Sequence, residues 1–155
     1  MFPEKTDEEI KRIDDAYYAA FPGVKEYHTY CYQRAANYSN TTNLFNIHYY
    51  NVSGHKLVNM LVQGSAAFFL KLKIIAIYNY MKEHKMKSRL QMQIHDELCW
   101  EVVKGEEEHF FNIKKIMETW EDGQVPVVAE MDASKTTWAN KQGIKNIDEL
   151  KELLQ

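Results

Sequence analysis

The 155-residue sequence is poor in cysteine, proline and glycine, with two, three and six residues of each. Two cysteines, Cys31 and Cys99, are too few for a disulfide framework and lack metal-ligand spacing, which favours a reducing, cytoplasmic compartment. The low glycine and proline content, together with 45% hydrophobic residues, excludes collagen-like and low-complexity sequence. The composition therefore predicts a folded domain with a hydrophobic core.

The sequence also has no excess of positive charge. It contains 19 Lys and Arg residues and 22 Asp and Glu residues, for a net charge of −3. Proteins that coat nucleic acid through bulk charge are strongly basic, so that class is excluded. Any contact with DNA must be local. Lys71 and Lys73 interrupt the longest apolar stretch, and we therefore expect no membrane-spanning segment.

Helical spacing of apolar residues recurs along the chain. Thr6 with Glu9 three residues later is typical of a capping box and predicts a first helix that ends before Phe21-Pro22-Gly23. Further helices are predicted over about residues 24–36, 56–84, 106–117 and 147–154, the last with Asn146 as its cap. Residues 37–43, rich in Asn, Ser and Thr, are predicted to be a loop, and residues 125–131 a short strand.

The period of the pattern changes after the longest helix. Leu90, Met92 and Ile94 alternate with polar residues, as a half-buried strand requires, and the alternation resumes from Leu98 to Val102. The reversal between them predicts an antiparallel hairpin with an acidic tip. The fold class is therefore predicted to be α+β, with a hairpin or small sheet packed against several helices.

The predicted tip contains Asp96 and Glu97. A carboxylate on a strand turn is accessible to solvent while the strands fix its position. Carboxylate oxygens are also the ligands that Mg²⁺ prefers. The alternative is that both acids are there only because turns are polar.

A second pattern lies on the predicted long helix, where His55, Asn59 and Gln63 are spaced four residues apart and share one face. All three can donate hydrogen bonds, and the minor groove of DNA presents similar acceptors for every base pair. Such a stripe can test the shape of a duplex without reading its sequence. The alternative is a polar stripe that only faces solvent. Gly64 and Ser65 follow and make the helix thin, which allows another backbone or a nucleic acid to approach.

Both segments resemble family A DNA polymerases. Gln-Ile-His-Asp-Glu-Leu at 93–98, followed by Glu-Val at 101–102, is similar to the third polymerase motif of that family. The segment from His55 to Ala67, with Asn59 and then Gln-Gly-Ser-Ala-Ala, is similar to the helix before it. His55 resembles the phage branch, because bacterial members usually carry Arg there. The turn at 21–27 and the residues Val125, Pro126, Asp132 and Trp138 extend the resemblance over residues 7–141.

The resemblance implies a partial polymerase palm with part of the fingers base in residues 1–141, and a short helical tail in residues 142–155. It implies that Asp96 and Glu97 hold the catalytic Mg²⁺ ions and that His95 lies near the primer terminus, which makes His95, Asp96 and Glu97 the catalytic residues. His55, Asn59 and Gln63 would contact the minor groove of primer-template DNA. The reaction would be attack of the primer 3′-hydroxyl on a dNTP.

Other parts of the family pattern are missing from the sequence. Asn46 and Ile47 stand where the family usually has arginines, which puts one phosphate contact in doubt. The first motif, an Asp-Tyr-Ser type strand, does not occur, nor does the nucleotide-gripping helix of the second motif. Catalysis by two metals needs carboxylates from more than one strand. We therefore expect the chain to need a polypeptide partner with these motifs and not to extend primers alone.

Two other functions are compatible with the sequence. The chain could be a non-catalytic module that binds duplex DNA or a replication partner. It could also be a small metal-dependent hydrolase built on His95, Asp96 and Glu97, although a second cluster of metal ligands is lacking. A mixture with a chain that carries the missing motifs would separate the polymerase from the binding module. Loss of the restored activity in Asp96→Ala would support the polymerase, and unchanged activity would support the binding module.

Overall fold

A computed structural model describes residues 5–121, 123 and 125–154. Within these residues the chain forms five α-helices and three two-stranded antiparallel sheets, which confirms the predicted α+β class. The chain divides into two compact units, Met1–Ala66 and Ala67–Gln155. Each unit is described by itself.

The first unit begins with two helices, α1 over Asp7–Ala20 and α2 over Pro22–Asn37. The capping box is confirmed, because the Thr6 hydroxyl accepts the N–H of Glu9 and the Glu9 carboxylate accepts the N–H of Thr6. Pro22 occupies the first turn of α2, where its missing N–H costs no helical hydrogen bond. Helix α2 therefore begins two residues before the predicted start.

The loop predicted over residues 37–43 is wrong, since β1 (Asn40–Thr42) pairs antiparallel with β2 (His48–Tyr50). The side-chain oxygen of Asn43 accepts the backbone N–H groups of Phe45 and Ile47, each at 3.0 Å. This side chain thereby organises the connection between the strands. Short polar residues were interpreted as breakers of regular structure, and here one of them closes a turn.

Helix α3 spans Gly54–Glu83, close to its predicted limits. Leu57 and Leu61 are buried with Cys31 of α2 and form the core of the first unit. A Cβ atom built at Gly64 would lie 1.8 Å from the Tyr49 hydroxyl oxygen. The thin part of the helix thus does admit a close neighbour, and among the described residues that neighbour is a side chain of β2.

Among the described residues, α3 is long and apolar enough to cross a membrane by length and composition alone. Core helices of soluble proteins have the same properties. In helix α3, Leu57, Leu61, Leu70 and Ile77 are buried, whereas Met60, Val62, Leu72, Ile75 and Tyr78 are exposed.

The second unit contains the predicted hairpin, formed by β3 (Arg89–Ile94) and β4 (Glu97–Glu101). Leu90 pairs with Trp100 and Ile94 with Glu97, with an irregularity between Leu90 and Met92. Helix α4 (Glu107–Glu118) is confirmed. The core of this unit consists of Leu70, Ile77, Leu98, Phe110, Ile113, Ile144 and Leu150.

Burial of β3 differs from the prediction. Leu90 and Met92 were expected to face a core, but they are 37% and 51% exposed. On β4, by contrast, Leu98 is buried. The hairpin has only two strands in the described part of the chain, so one edge and part of one face of β3 stay uncovered.

The strand predicted over residues 125–131 is also wrong. Pro126 cannot donate to a ladder, and the backbone N–H of Ala129 is instead bound by the Glu118 carboxylate at 3.1 Å. The strands found here are β5 (Asp132–Ala133) and β6 (Gln142–Gly143), which pair antiparallel.

The C-terminal helix α5 covers Ile147–Leu154. Its predicted cap is confirmed, because the side-chain oxygen of Asn146 accepts the N–H of Glu149 at 3.0 Å.

Glu106 connects the start of the hairpin to the start of α4. Its two carboxylate oxygens accept the backbone N–H groups of Lys87 and Ser88 at 2.7 and 2.9 Å. Burial by itself raises the pKa of Glu106, but these hydrogen bonds together outweigh burial, so the pKa lies below its ordinary value. The ionised carboxylate therefore stabilises the strand that leads to the acidic tip.

Replacement of Glu106 by Gln tests this connection, because one of the two accepting oxygens becomes an NH2 group, which cannot accept an N–H. We expect Glu106→Gln to lower the free energy of unfolding by about 1–3 kcal/mol, measured by urea denaturation at pH 7. Glu108→Gln is the control, since Glu108 is an exposed residue in the first turn of α4. It should leave the free energy unchanged.

The same pair of variants has an expected pH dependence. Because the folded-state pKa of Glu106 is below its ordinary value of 4.5, its stabilising effect is present above that value. The effect is lost as the pH falls through the lowered pKa. On acidification from about pH 5 to 3, Glu106→Gln should thus lose less stability than the wild type. Equal losses in the two proteins would contradict the assignment.

Candidate functional site

The acidic tip is a two-residue turn made of His95 and Asp96 between β3 and β4. His95 has φ 54°, in the left-handed region. Two-residue hairpin turns require such conformations because they match the twist of the strands. For a residue other than glycine this conformation is strained. The turn therefore holds an uncommon backbone geometry at the predicted catalytic position.

Asp96 is exposed and makes no hydrogen bond or ion pair with any residue in the described part of the chain. His95 is exposed as well, and its backbone carbonyl accepts the side-chain amide of Gln93 at 3.0 Å. The position of Asp96 is thus set by the turn, and its carboxylate is available to a ligand.

Glu97, the first residue of β4, is engaged differently. Its Oε1 accepts the Lys141 ammonium at 2.8 Å and the Trp138 indole N–H at 3.1 Å. The hydrogen bond from Lys141, followed by that from Trp138, lowers the pKa of Glu97 below its ordinary value. Lys141 is also 3.3 Å from Asp132 Oδ2, and its own pKa is raised, mainly by the bond to Glu97. One cation therefore lies between two carboxylates beside the turn.

These contacts define what the chain offers to a metal. No group of three or more His, Cys, Asp or Glu side chains suited to a metal ion occurs among residues 5–121, 123 and 125–154. Mg²⁺ commonly keeps several waters and binds one or two carboxylates together with substrate phosphates. The free carboxylate of Asp96 fits such a site, provided other ligands complete it. Glu97 can offer its Oε2 to a metal ion, because its Oε1 already accepts two hydrogen bonds from the protein.

The predicted stripe on α3 is present as a surface in the first unit. His55, Asn59 and Gln63 are all exposed, whereas Leu57 and Leu61 are buried. The His55 ring lies 3.5 Å from the Ser53 hydroxyl. The Asn59 and Gln63 amides have no partner within the described ranges, so both can donate to a ligand. The assignment of this surface to DNA stays a prediction.

Lys141 was not identified from the sequence, and Trp138 was identified only through the family resemblance. Both lie more than 40 positions from Glu97, with separations of 44 and 41 residues, so no local pattern connects them. In the structure Trp138 stands out because it is 55% exposed, although a large aromatic ring favours burial.

Known proteins match this chain in both sequence and structure. Residues 4–140 match the family model described as DNA polymerase family A. DNA polymerase I of Borreliella burgdorferi is 30% identical over 144 residues, which cover 84% of this chain and 16% of the relative. DNA polymerase I of Caldicellulosiruptor bescii is 32% identical over 136 residues, which cover 79% and 16%.

A solved structure, the POL domain of Pol1 from M. smegmatis in complex with DNA primer-template and dNTP, superposes with a TM-score of 0.73. It is 25% identical, and the match covers 78% of this chain and 24% of that chain.

The α+β fold thus matches part of a DNA polymerase domain. Because the family model matches most of the sequence, the chain belongs to DNA polymerase family A. It spans about one sixth of the length of the two polymerases I, at 16% of each.

The different contacts of Asp96 and Glu97 lead to different expected effects on stability. Asp96→Ala should change the free energy of unfolding by no more than about 0.5 kcal/mol, as for a surface residue without partners. Glu97→Ala should lower it measurably, because Trp138 and Lys141 lose their shared acceptor. Urea denaturation of both variants at pH 7 measures this. A loss in Asp96→Ala equal to that in Glu97→Ala would mean that Asp96 has a structural task.

Proposed function

We propose that this chain is the C-terminal palm segment, with part of the fingers base, of a DNA-directed DNA polymerase. In the complete enzyme the reaction is Mg²⁺-dependent attack of a primer 3′-hydroxyl on the α-phosphate of a dNTP. The observation that carries the proposal is the unengaged Asp96 carboxylate on the hairpin turn, within a match to family A that covers most of the chain.

In this proposal Asp96 is a magnesium ligand, Glu97 is the second carboxylate that the chain brings to the site, and His95 lies beside the primer terminus. The ion, when bound, supplies charge stabilisation to the phosphate oxygens. The task of the chain is to hold the carboxylates in place, and it does so through the tight turn and the paired strands.

The exposed stripe of His55, Asn59 and Gln63 would contact the minor groove of the primer-template. Its donors have the chemistry to bind the acceptors that every base pair presents there. A helix is suited to this task because its backbone is already ordered, so that only the side chains must be fixed on binding. That the M. smegmatis POL domain is bound to primer-template and dNTP supports these as the substrates.

The first-motif carboxylate and the nucleotide-gripping helix must come from a polypeptide segment outside this sequence, and we propose that this chain does not extend primers without it. Within the described residues, the outer edge of β3 has no paired strand, and an open strand edge is a template for pairing.

His55 is the residue on which we base a phage-type origin within the family. Cys31 and Cys99 are both free thiols, which agrees with a cytoplasmic location, in the host if the chain is phage-encoded.

Primer extension tests the proposal directly. The 155-residue chain alone should give no Mg²⁺-dependent extension, and a mixture with a family A polypeptide that carries the first and second motifs should restore it. In the mixture, Asp96→Ala should lower kcat at least about a hundredfold, the scale of losing one electrostatic group from a transition state. Asp14→Ala, at an exposed position of α1, is the control and should retain full activity.

Unchanged activity in Asp96→Ala would instead support the non-catalytic module that binds duplex DNA or a replication partner. Robust extension by the chain alone would show that the missing motifs are not required. Either result would overturn the proposed role.

The DNA-binding stripe has its own test, by fluorescence anisotropy with a labelled primer-template at fixed salt. Asn59→Ala and Gln63→Ala should each weaken binding about fivefold, since each removes a hydrogen bond worth about 1 kcal/mol. The loss should be similar for A·T-rich and G·C-rich duplexes. Val62→Ala, exposed between these two positions, should leave the affinity unchanged. Equal affinities in all variants would exclude this face from the interface.

A further inference from the structure

The hairpin tip is tied to a distant part of the second unit by a small polar network. Trp138 lies in a 3₁₀ helix, Trp138–Asn140, and Lys141 follows it directly. Both donate to the same oxygen, Oε1 of Glu97. The two donors approach from one segment of the chain, so the network attaches that segment to the beginning of β4.

Lys141 is the centre of the network. Its ammonium nitrogen is 2.8 Å from Glu97 and 3.3 Å from Asp132. It also lies 5.3 Å from the centroid of the Trp138 ring, within the range of a cation–π contact. Asp132 belongs to β5 and pairs with Gly143 of β6. The lysine therefore joins the β5–β6 pair to the hairpin tip through one charged group.

A glutamate at the start of a strand normally samples several rotamers, and fixing it costs conformational entropy. Here two donors hold one carboxylate oxygen. A two-stranded hairpin is also marginal by itself, so an added tertiary contact at its tip limits fraying where the turn is strained. The remaining oxygen of Glu97, Oε2, has no protein partner in the described part of the chain.

We propose that Lys141 and Trp138 are positioning residues that hold Glu97, and with it the His95–Asp96 turn, in a single arrangement. This inference rests on the proposed polymerase function, because it assigns the two residues a task at that same site. The exposure of Trp138 then has a reason, since its ring supports Lys141 and its N–H binds Glu97 instead of filling a core.

The test is ¹H–¹⁵N NMR of the full 155-residue chain at neutral pH. The indole N–H signal of Trp138 is assigned by its loss in Trp138→Phe. We expect Lys141→Met to shift this signal and to lower the heteronuclear NOE of the Asp96 and Glu97 amides. Glu97→Gln should also shift the indole signal upfield, because a neutral acceptor forms a weaker hydrogen bond than a carboxylate.

Two controls separate positioning from a general loss of structure. Lys141→Arg keeps the charge and its donors, and it should restore both the indole signal and the amide order. Lys135→Met removes an exposed lysine from the same segment and should change neither. If Lys141→Met leaves the Trp138 signal and the tip amides as in the wild type, the proposal is wrong.

A kinetic measurement in the complemented mixture adds a functional readout. Lys141→Met should lower kcat with little change in KM for dNTP, and Lys141→Arg should recover kcat. Full kcat in Lys141→Met, despite altered NMR signals, would overturn the positioning role while the polymerase function stands. An absence of activity in the wild-type mixture would count against the polymerase function, and the NMR result would then decide the positioning role separately.

Discussion

The structure depends on one tight reversal of the chain at His95 and Asp96. A two-residue turn between paired strands places the Asp96 carboxylate at a fixed point in solvent, without using it for a structural contact among the described residues. The left-handed conformation of His95 is the cost of this geometry. The Glu106 carboxylate organises the other end of β3 by binding two backbone N–H groups, so both ends of that strand are held.

Charge near the turn is arranged unevenly. Lys141 forms ion pairs with Glu97 and Asp132. Asp96 forms no ion pair among the described residues. A carboxylate that shares a cation attracts a further cation less strongly, and one without such a partner retains its full attraction. The hairpin motif alone does not reveal this difference, because Asp96 and Glu97 have the same charge and are adjacent in the sequence.

Local patterns predicted most of the helices and the hairpin, since capping, apolar spacing and strand alternation act within a few residues. The Thr6–Glu9 capping box and the Asn146 cap are confirmed as predicted. The β1–β2 pair was missed because it is closed by the Asn43 side chain, a contact that composition does not indicate. The strand predicted over residues 125–131 was wrong because apolar content outweighed Pro126 and the competing carboxylate of Glu118.

From the order of its residues alone, the chain could be assigned to its family, and Asp96, His55, Asn59 and Gln63 could be selected, since these depend on short motifs and on helical or strand periodicity. The tertiary structure decided which of the two tip acids is engaged, because Trp138 and Lys141 reach Glu97 across more than 40 residues. It also decided that Leu90 and Met92 are exposed. Alternation marks one side of a strand, but only packing against another part of a protein determines whether that side is covered.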